Sequence, residues 1–363
     1  MSYAPTTLVA CPHLQADLIS FYQNCDPSFL RTPSPFADFM WSDMNRGGIQ
    51  QKLVPGGGKL RTIELTYDQR LLESEVTTAD LTSQECVATT KRGNLSTTYS
   101  MDPTAGLKVE ELFDLGDWIY ACESNDLILA KHIQRMIDAL WAKVATRLTT
   151  LAAALIGPWD SSVSPITTEG SKKYLTVNTL RTGSQDINPT AFEDIDFAIE
   201  QTSFCMPPII FSGATLRKYY RVMQAGCCSN QGFNLEEIVA NYGKAVLYDK
   251  RVQSAAGGAA YAWAVQPKAL QPVYYTKNND LKEEALARFT QQGGSTGSNY
   301  WKGVMQDPQS GMPFDITISD NCGEISVLLR LAVALKSMPA DMFAPGDPME
   351  GVKFVTGIKV VNN

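Results

Sequence analysis

Residues 125–156 carry the clearest hydrophobic pattern in the chain. Apolar side chains recur there at intervals of three and four, with charged side chains between them. This spacing predicts one long amphipathic helix, with Ser124 or Asn125 as its N-cap and Gly157-Pro158 at its end. The apolar positions are Leu129, Ile133, Met136, Ile137, Leu140, Val144, Leu148, Leu151 and Leu155. Such a helix spans about 45 Å, so we expect a large flat body beneath it.

A different pattern, with a period of two, precedes this helix. Ile63, Leu65 and Tyr67 alternate with polar residues after a run of glycines at 56–58, which predicts a strand. A second Thr-rich run at 85–90 leads to a turn signal at 92–94 and to β-favouring residues at 97–99. Residues 56–100 therefore read as a long two-stranded ribbon. Because such a ribbon is marginal alone in water, we expect it to dock on another chain.

The N-terminal residues 1–45 combine prolines with separate aromatic side chains. Prolines at 27, 33 and 35 break any long helix. The segment is nevertheless too apolar for a free tail. We expect an extended arm that lies along another surface, such as a neighbouring subunit.

Residues 188–361 mix helical and strand patterns without a repeat. Helices are predicted from Asn188-Pro189, with the stripe Phe192, Ile195 and Ile199, around 216–223, and after Asn234 as a cap. Strands are predicted at 207–211, 245–248, 261–265, 316–318 and 352–361. Residues 291–298 read as a loop, and 325–335 fit a strand or a helix. The fold class predicted is α+β.

Composition and charge narrow the classes of function. The chain has 363 residues, 44% of them hydrophobic and 19% charged, which suits about two globular units. Its formal net charge is −7, and its basic residues cluster no more densely than in adjacent pairs such as Lys91-Arg92 and Lys172-Lys173. Sequence-specific DNA binding needs a basic surface that displaces counterions. This balance of charges disfavours a sequence-specific DNA-binding protein. It suits a protein that surrounds DNA without binding it tightly.

The eight cysteines are scattered, and none forms a C-x-x-C pair. This spacing is typical of free thiols in a reducing cytoplasm, with the vicinal Cys227-Cys228 as the one unusual feature. The N-terminus lacks the pattern of a signal peptide. The longest strongly apolar stretch, 148–156, is far shorter than a membrane span. We therefore expect no membrane partner.

The chemistry-bearing motifs are weak. The two histidines, His13 and His132, are poor candidates for a catalytic triad, and His132 reads as a side chain on the surface of the helix. Gly57-Gly58-Lys59 lacks the first glycine and the Ser or Thr of a phosphate loop. Gly293–Gly297 matches G-x-S-x-G, but a polar helical pattern precedes it where a strand is needed. We predict no catalytic residue, no cofactor and no metal.

The order of these parts resembles the major capsid protein of tailed bacteriophages, the Hong Kong ninety-seven fold. The phrases Pro207–Gly213, Val246–Asp249 and Tyr261–Pro267 are similar to the strands and helix of that family's axial domain. The resemblance implies an N-terminal arm (1–45) and an extended β loop (46–105). A peripheral domain (106–175) follows, built on a spine helix (125–156). The axial domain (176–305), the return strands of the peripheral domain (306–345) and a C-terminal strand (346–363) complete the chain.

The function implied by the resemblance is mechanical. Copies of the chain would form hexamers and pentamers of an icosahedral phage head that encloses double-stranded DNA. The expected location is the virion, with assembly in the host cytoplasm. Portal and scaffolding proteins are expected partners, with decoration proteins left open. A separate scaffolding protein is expected because no long helical segment precedes the arm. Quasi-equivalent packing needs a flexible joint, and Gly56, Gly57 and Gly58 are the candidate.

Three alternatives remain at this point. An encapsulin-like compartment would have a similar subunit but would hold enzyme cargo. An α+β enzyme with an unrecognised site would form a small oligomer. A tail or baseplate component would form tubes or a ring of fixed number.

Overall fold

The computed structural model describes residues 31–42, 45, 50–54, 61–67, 95–101, 106–114, 125–181, 183, 187–188, 190–204, 206–224, 246–276, 290–293, 299–321, 324–337 and 353–361. The described helices are α1 (Pro35–Trp41), α2 (Asn125–Leu155), α3 (Ala191–Gln201), α4 (Ala214–Gln224) and α5 (Lys250–Ala256). The described strands are β1 (Gln50–Val54), β2 (Arg61–Tyr67), β3 (Leu95–Met101), β4 (Leu107–Asp114), β5 (Ile166–Glu169), β6 (Lys172–Asn178), β7 (Ile209–Ser212), β8 (Val246–Tyr248), β9 (Tyr261–Val265), β10 (Leu270–Tyr275), β11 (Thr290–Gly293), β12 (Asn299–Gln306), β13 (Pro313–Asn321), β14 (Glu324–Ser337) and β15 (Val355–Val361). The α+β class is confirmed.

The first sheet is built around β14, whose 14 residues pair on both sides. Its strand order is β10-β14-β13-β12-β11, and β4 also pairs with β14. Strand β4 pairs with Glu324–Leu331, and β10 pairs with the remaining residues up to Ser337, all antiparallel. The ambiguous stretch 325–335 is thus a strand. Its hydrophobic run is continuous because the odd-numbered side chains enter the core while alanines at 332 and 334 are also buried.

Helix α2, which is 31 residues long, packs against β14 and β4 of this sheet. The predicted apolar stripe is confirmed: Leu129 to Leu148 are buried, and Leu151 and Leu155 pack at the margin of the core. The buried face is wider than the stripe, since it also includes Trp141 and several alanines. Helices α1 and α5 also contact α2, so the helix is covered by more than the sheet.

The second sheet has the order β5-β6-β15-β9-β7-β8. Strands β15 and β6 are parallel, as are β7 and β8, and the other pairs are antiparallel. Both faces are covered. Phe211, Trp263 and Val265 join the core that surrounds α2, whereas their neighbours Ile210 and Ala264 pack under α3 and α4. The alternation is the period of two expected of strands, and it joins the two sheets through one core.

A third sheet, here called the ribbon, comprises β1, β2 and β3 in that order, all antiparallel. The strand predicted from the alternation of Ile63, Leu65 and Tyr67 is confirmed as β2, and the β-favouring residues at 97–99 lie in β3. The run at 85–90 lies outside the described residues. The ribbon has three strands and not two, because Gln50–Val54 adds to β2. It shares no strand with the two six-stranded sheets of the described chain.

The expectation for the N-terminal segment is wrong from residue 35 onward. Residues 35–41 form helix α1, and Phe36, Phe39 and Trp41 are buried in the core of their own chain. Pro35 occupies the first helical position and starts this helix. The sequence pattern indicates this proline only as a helix breaker. Residues 1–30 lie outside the described residues, so the arm stays a prediction there.

The sheets also divide the chain differently from the predicted domains. Strands β10, β11 and β12 fall within the predicted axial segment 176–305, yet they pair in the first sheet with β13 and β14. The C-terminal strand β15 lies inside the second sheet, between β6 and β9. Hydrogen bonding between strands distant in sequence decides this grouping, and no local pattern encodes it. The peripheral and axial assignments themselves stay predictions.

Three smaller expectations also change or lie outside the described chain. Helix α3 begins at Ala191 with Thr190 as its cap; Asn188 instead accepts hydrogen bonds from Thr190 and donates one to the carbonyl of Asn178. The predicted loop 291–298 begins within strand β11, which ends at Gly293. The helix predicted after Asn234 lies outside the described residues.

Candidate functional site

The predicted joint, Gly56 to Gly58, lies outside the described residues, but its two flanks are described. Val54 at the end of β1 pairs with Thr62 near the start of β2. The chain therefore reverses direction between residues 54 and 61. The glycines connect two strands of the ribbon, which is where backbone freedom is useful for a turn.

The ribbon is a separate three-stranded sheet within the described part of the chain. Ile63 on its central strand is buried, but it belongs to neither hydrophobic core. Strand β2 pairs with β3 over its whole length and with β1 at residues 62–66. A small sheet of this kind gains most of its stability from a surface that covers one face.

The segment before α1 is anchored to the body by a buried ion pair. An Nη1 atom of Arg31 lies 2.7 Å from an oxygen of Asp307, and the two side chains are 5% and 0% exposed. The guanidinium also stacks over the ring of Trp141, 3.8 Å from its centroid. Asp307 additionally accepts hydrogen bonds from the backbone and hydroxyl of Ser310. Removing either charge would leave the other uncompensated in a nonpolar environment.

A second anchor is the carboxylate of Asp249, which is 1% exposed. One oxygen caps helix α5 by accepting from the backbone of Arg251 at 2.8 Å and of Val252 at 3.3 Å. The other accepts from the Ser34 hydroxyl at 2.8 Å and from the backbone of Phe36 at 3.1 Å. One side chain thus accepts hydrogen bonds from backbone N–H groups that have no partner within their own helix, at the starts of α1 and α5.

Asn45 forms a third anchor beyond the end of α1. Its amide donates to the carbonyl of Leu270 at 2.8 Å, and its oxygen accepts from the backbone of Lys268 at 2.8 Å. Gln271 in turn donates to the carbonyl of Asn45 at 2.7 Å. The segment from Arg31 to Asn45 is therefore fixed at one end to Asp307, between β12 and β13, and at the other end to the connection between β9 and β10.

Two titratable groups, Asp38 and His132, have pKa values shifted from their ordinary ones. Burial raises the pKa of the Asp38 carboxyl; Arg31 acts against this, and the negative charges of Asp307 and Asp249 add to it. Burial also lowers the pKa of His132, which lies 3.8 Å from Glu111 and packs on the ring of Phe113. His132 is thus half-buried at the contact between α2 and β4, beside an acid and an aromatic ring.

A polar cluster lies on the second sheet, where four strands contribute one side chain each. Lys359 forms an ion pair with Glu169, and the Tyr261 hydroxyl donates to the same carboxylate at 2.7 Å. The ring of Tyr174 packs against that of Tyr261. The hydrogen bond from Lys359, followed by that from Tyr261, lowers the pKa of Glu169, and the same bonds raise the pKa of Lys359 and of Tyr261. These mutually satisfied groups hold β5, β9 and β15 together.

The remaining sequence candidates fall outside the described residues. They are His13, Lys59, Lys91, the G-x-S-x-G stretch from Gly294 onward and all eight cysteines. Among the residues that the structure describes, no group of three or more His, Cys, Asp or Glu side chains is arranged to hold a metal ion. No described helix is long and apolar enough to cross a membrane.

Sequence reasoning missed the anchoring residues Arg31, Asn45, Asp249 and Asp307. Asp249 had a detectable signal, since aspartate is a preferred N-cap and it directly follows the predicted strand 245–248. The Arg31–Asp307 pair had none, because the partners are 276 residues apart in sequence.

Comparison with known proteins gives matches only among solved structures. No family model and no curated protein matches the chain. The capsid of cyanophage A-1(L) matches with 12% identity over 93% of this chain and 95% of that one, at a TM-score of 0.47. The mature capsid of bacteriophage PhiM1 matches with 10% identity over 92% and 100%, at 0.34. A phage-related protein of Bordetella bronchiseptica matches with 10% identity over 97% of each chain, at 0.38. The chain is thus similar, at low identity, to phage capsid and phage-related proteins.

Proposed function

We propose that the chain is a major capsid protein of the Hong Kong ninety-seven type, a structural subunit of an icosahedral phage head. The observation that carries the proposal is the order of its elements. Helix α1 is followed by the separate ribbon, then by β4 and the 31-residue helix α2, and then by strands β5–β9 of the second sheet with their helices. The remaining strands of the first sheet, β10–β14, come next, and β15 returns to the second sheet. This is the order that the resemblance implies for arm, extended loop, spine helix and axial region.

The body of the subunit has the properties of a rigid tile. Helix α2 and the two six-stranded sheets share one core, which extends from Phe36 through Trp141 to Val355. Densely packed cores deform little. A tile of this kind keeps its shape while the angles between copies change, as a shell with both hexamers and pentamers requires.

The ribbon supplies the flexible contact between copies in this proposal. It shares no strand with the body among the described residues, and glycines connect its first two strands. The lapping role expected for residues 1–45 is kept only for those before Arg31, because residues 31–45 are anchored to their own body.

The wider role follows from the same proposal. The chain acts mechanically and not as an enzyme, with copies of itself as its main partners. It encloses double-stranded DNA without reading its sequence. Portal and scaffolding proteins complete the head, which assembles in the host cytoplasm and becomes part of the virion. The peripheral (106–175 and 306–345) and axial (176–305) domains are the proposed functional divisions.

Negative-stain electron microscopy of the purified chain tests the proposal, with size-exclusion chromatography as a first step. We expect rings, sheets or closed shells at high protein concentration. A single small oligomer with no larger assembly at any concentration contradicts the proposal and favours an enzyme. Particles isolated from producing cells that hold enzyme cargo instead of DNA point to a compartment of the encapsulin type.

A further inference from the structure

Helix α3 presents an acidic outer face with an exposed aromatic side chain at its centre. Phe197 is 61% exposed. Glu193, Asp194 and Glu200 are exposed beside it, at positions four and three residues before it and three after it. Residues at these spacings are neighbours on a helix surface. The helix contains no lysine or arginine, so this face, here called the acidic face, carries charge of one sign around an apolar centre.

Helix α4 presents the opposite charge. Lys218 and Arg221 are exposed, Val222 is 40% exposed between them and the end of the helix, and no acidic residue occurs in the helix. The third cation, Arg217, is already engaged, because it donates to the carbonyl of Val246 at 2.8 Å and packs on Tyr220. The exposed surface formed by Lys218, Arg221 and Val222 is here called the basic face.

The two helices lie on the same face of the second sheet, over different strands. Helix α3 packs over β6, whereas α4 packs over β7, β8 and β9 at the other end of the sheet. Phe192 contacts Tyr219 and Tyr220 where the two helices meet, so their inner sides face each other. Within the described part of the chain, no carboxylate of the acidic face pairs with a cation of the basic face.

We propose that the acidic face of one copy docks on the basic face of the next copy. The inference rests on the proposed function and names the contact that joins copies into rings. Two different faces on each copy make a head-to-tail contact, which closes into a ring when the rotation per copy divides a full turn. Phe197 forms the apolar centre of the contact, and the charged side chains form its rim. Aromatic residues are enriched at the centres of protein interfaces.

The charges give the contact direction and salt sensitivity. The acidic face of one copy meets the basic face of the next in only one relative orientation. Two acidic faces or two basic faces repel each other. The distance over which exposed charges act falls from about 8 Å at 0.15 M salt to about 3 Å at 1 M. Ring formation should therefore weaken as salt is raised, while the fold of each subunit is unaffected.

Charge reversal tests the inference with a mixing experiment. Glu193→Lys/Glu200→Lys makes both faces basic, and Lys218→Glu/Arg221→Glu makes both faces acidic. Each variant alone should remain as subunits under conditions in which the unaltered chain forms rings. An equimolar mixture should form rings in which the variants alternate, and alternation permits only even numbers. Native mass spectrometry should then show six-membered rings with three of each variant, and no five-membered rings.

Two further variants control the experiment. Lys143→Glu/Lys250→Glu makes the same change in net charge as Lys218→Glu/Arg221→Glu, but at exposed lysines of α2 and α5, and it should assemble normally. Phe197→Ala should weaken ring formation by about tenfold or more while leaving the thermal unfolding of the subunit unchanged, because the side chain is already exposed to water.

The outcomes separate the inference from the function on which it rests. If both charge reversals assemble as well as the unaltered chain, the inference is overturned and the shell function stands. If the mixture forms alternating rings but the unaltered chain never forms a curved or closed shell, the contact stands and the shell function fails. An unaltered chain that never forms rings overturns both.

Discussion

At the scale of single residues, buried polar side chains anchor the start of the chain to its body. Asp249 joins the starts of two helices, Arg31 joins α2 to the turn at Asp307, and Asn45 joins the end of α1 to β10. None of these groups is exposed to a ligand. Their effect is to make residues 31–45 part of the tile, which determines where any free arm can begin.

Replacing Asp249 tests this anchoring. Asp249→Ala removes a helix cap and leaves buried donors at Ser34, Phe36, Arg251 and Val252 without an acceptor. We expect the free energy of unfolding to fall by about 2–4 kcal/mol, measured by urea denaturation of unassembled subunits. Glu110→Ala, which removes only the exposed pair with Lys108, should change it by less than about 0.5 kcal/mol. Equal effects of the two substitutions would contradict the anchoring role.

Asp38 gives a pH dependence with a definite sign. Burial raises the pKa of its carboxyl above the value in the unfolded chain. The folded state therefore holds the proton more tightly, and stability falls as the pH rises from the ordinary aspartate pKa through the raised one. Asp38→Asn removes this loss of stability. The melting temperature of the variant minus that of the unaltered chain should therefore be larger at pH 7 than at pH 3.5. A difference in melting temperature that does not change with pH would show that Asp38 titrates normally.

At the scale of elements, α2 shows how one-sided burial supports a long helix. Ile137 is fully buried, whereas Lys143 lies exposed on the same helix. Ile137→Ala should lower the free energy of unfolding by about 2–5 kcal/mol. Lys143→Ala, the matched control, should change it by less than about 0.5 kcal/mol. Denaturant titration of both variants measures the contrast, and a large effect at Lys143 would mean that both faces of the helix are covered.

The ribbon provides the test of the glycine joint. The pairing of Val54 with Thr62 places a chain reversal within residues 55–60. Proline fixes φ near −65° and removes a donor, so Gly56→Pro/Gly57→Pro/Gly58→Pro should prevent the ribbon from adjusting to different neighbours. We expect soluble subunits with an unchanged melting temperature but few shells in electron micrographs. The triple serine variant, which keeps more freedom, should assemble. Normal shells from the proline variant would remove the glycines as a joint.

Elements with a strong period were predictable from the sequence, and elements defined by distant partners were not. The spacing from Leu129 to Leu155 predicts α2 to within a residue at each end. By contrast, β4 has three exposed residues in a row, from Glu110 to Leu112, because its outer edge lies at the border of a sheet. Pro272 interrupts the pattern of β10, which pairs with β14 and with no other strand that the structure describes. The anchors were hidden for the same reason, since each joins residues more than 200 positions apart.

At the scale of the whole molecule, rigidity and adaptability are separated along the chain. One core joins α2 to both six-stranded sheets, whereas the ribbon depends on its own strand pairing and on whatever surface it covers. A subunit with this division can keep its internal packing in rings of different size. Acidic side chains lie on α3 and basic side chains lie on α4. Association can therefore be directional, although every copy has the same net charge.

The net charge of −7 makes a prediction about nucleic acid. A chain with this net charge and without a long run of basic residues gains little from the release of DNA counterions. At about 0.15 M salt we expect no change in the fluorescence anisotropy of a labelled DNA duplex on addition of subunits. DNA should also leave unchanged the protein concentration at which light scattering reports assembly. A basic protein of similar size is the positive control. Tight binding that weakens steeply with salt would reveal a basic surface, and DNA would then have to be counted as a direct partner in assembly.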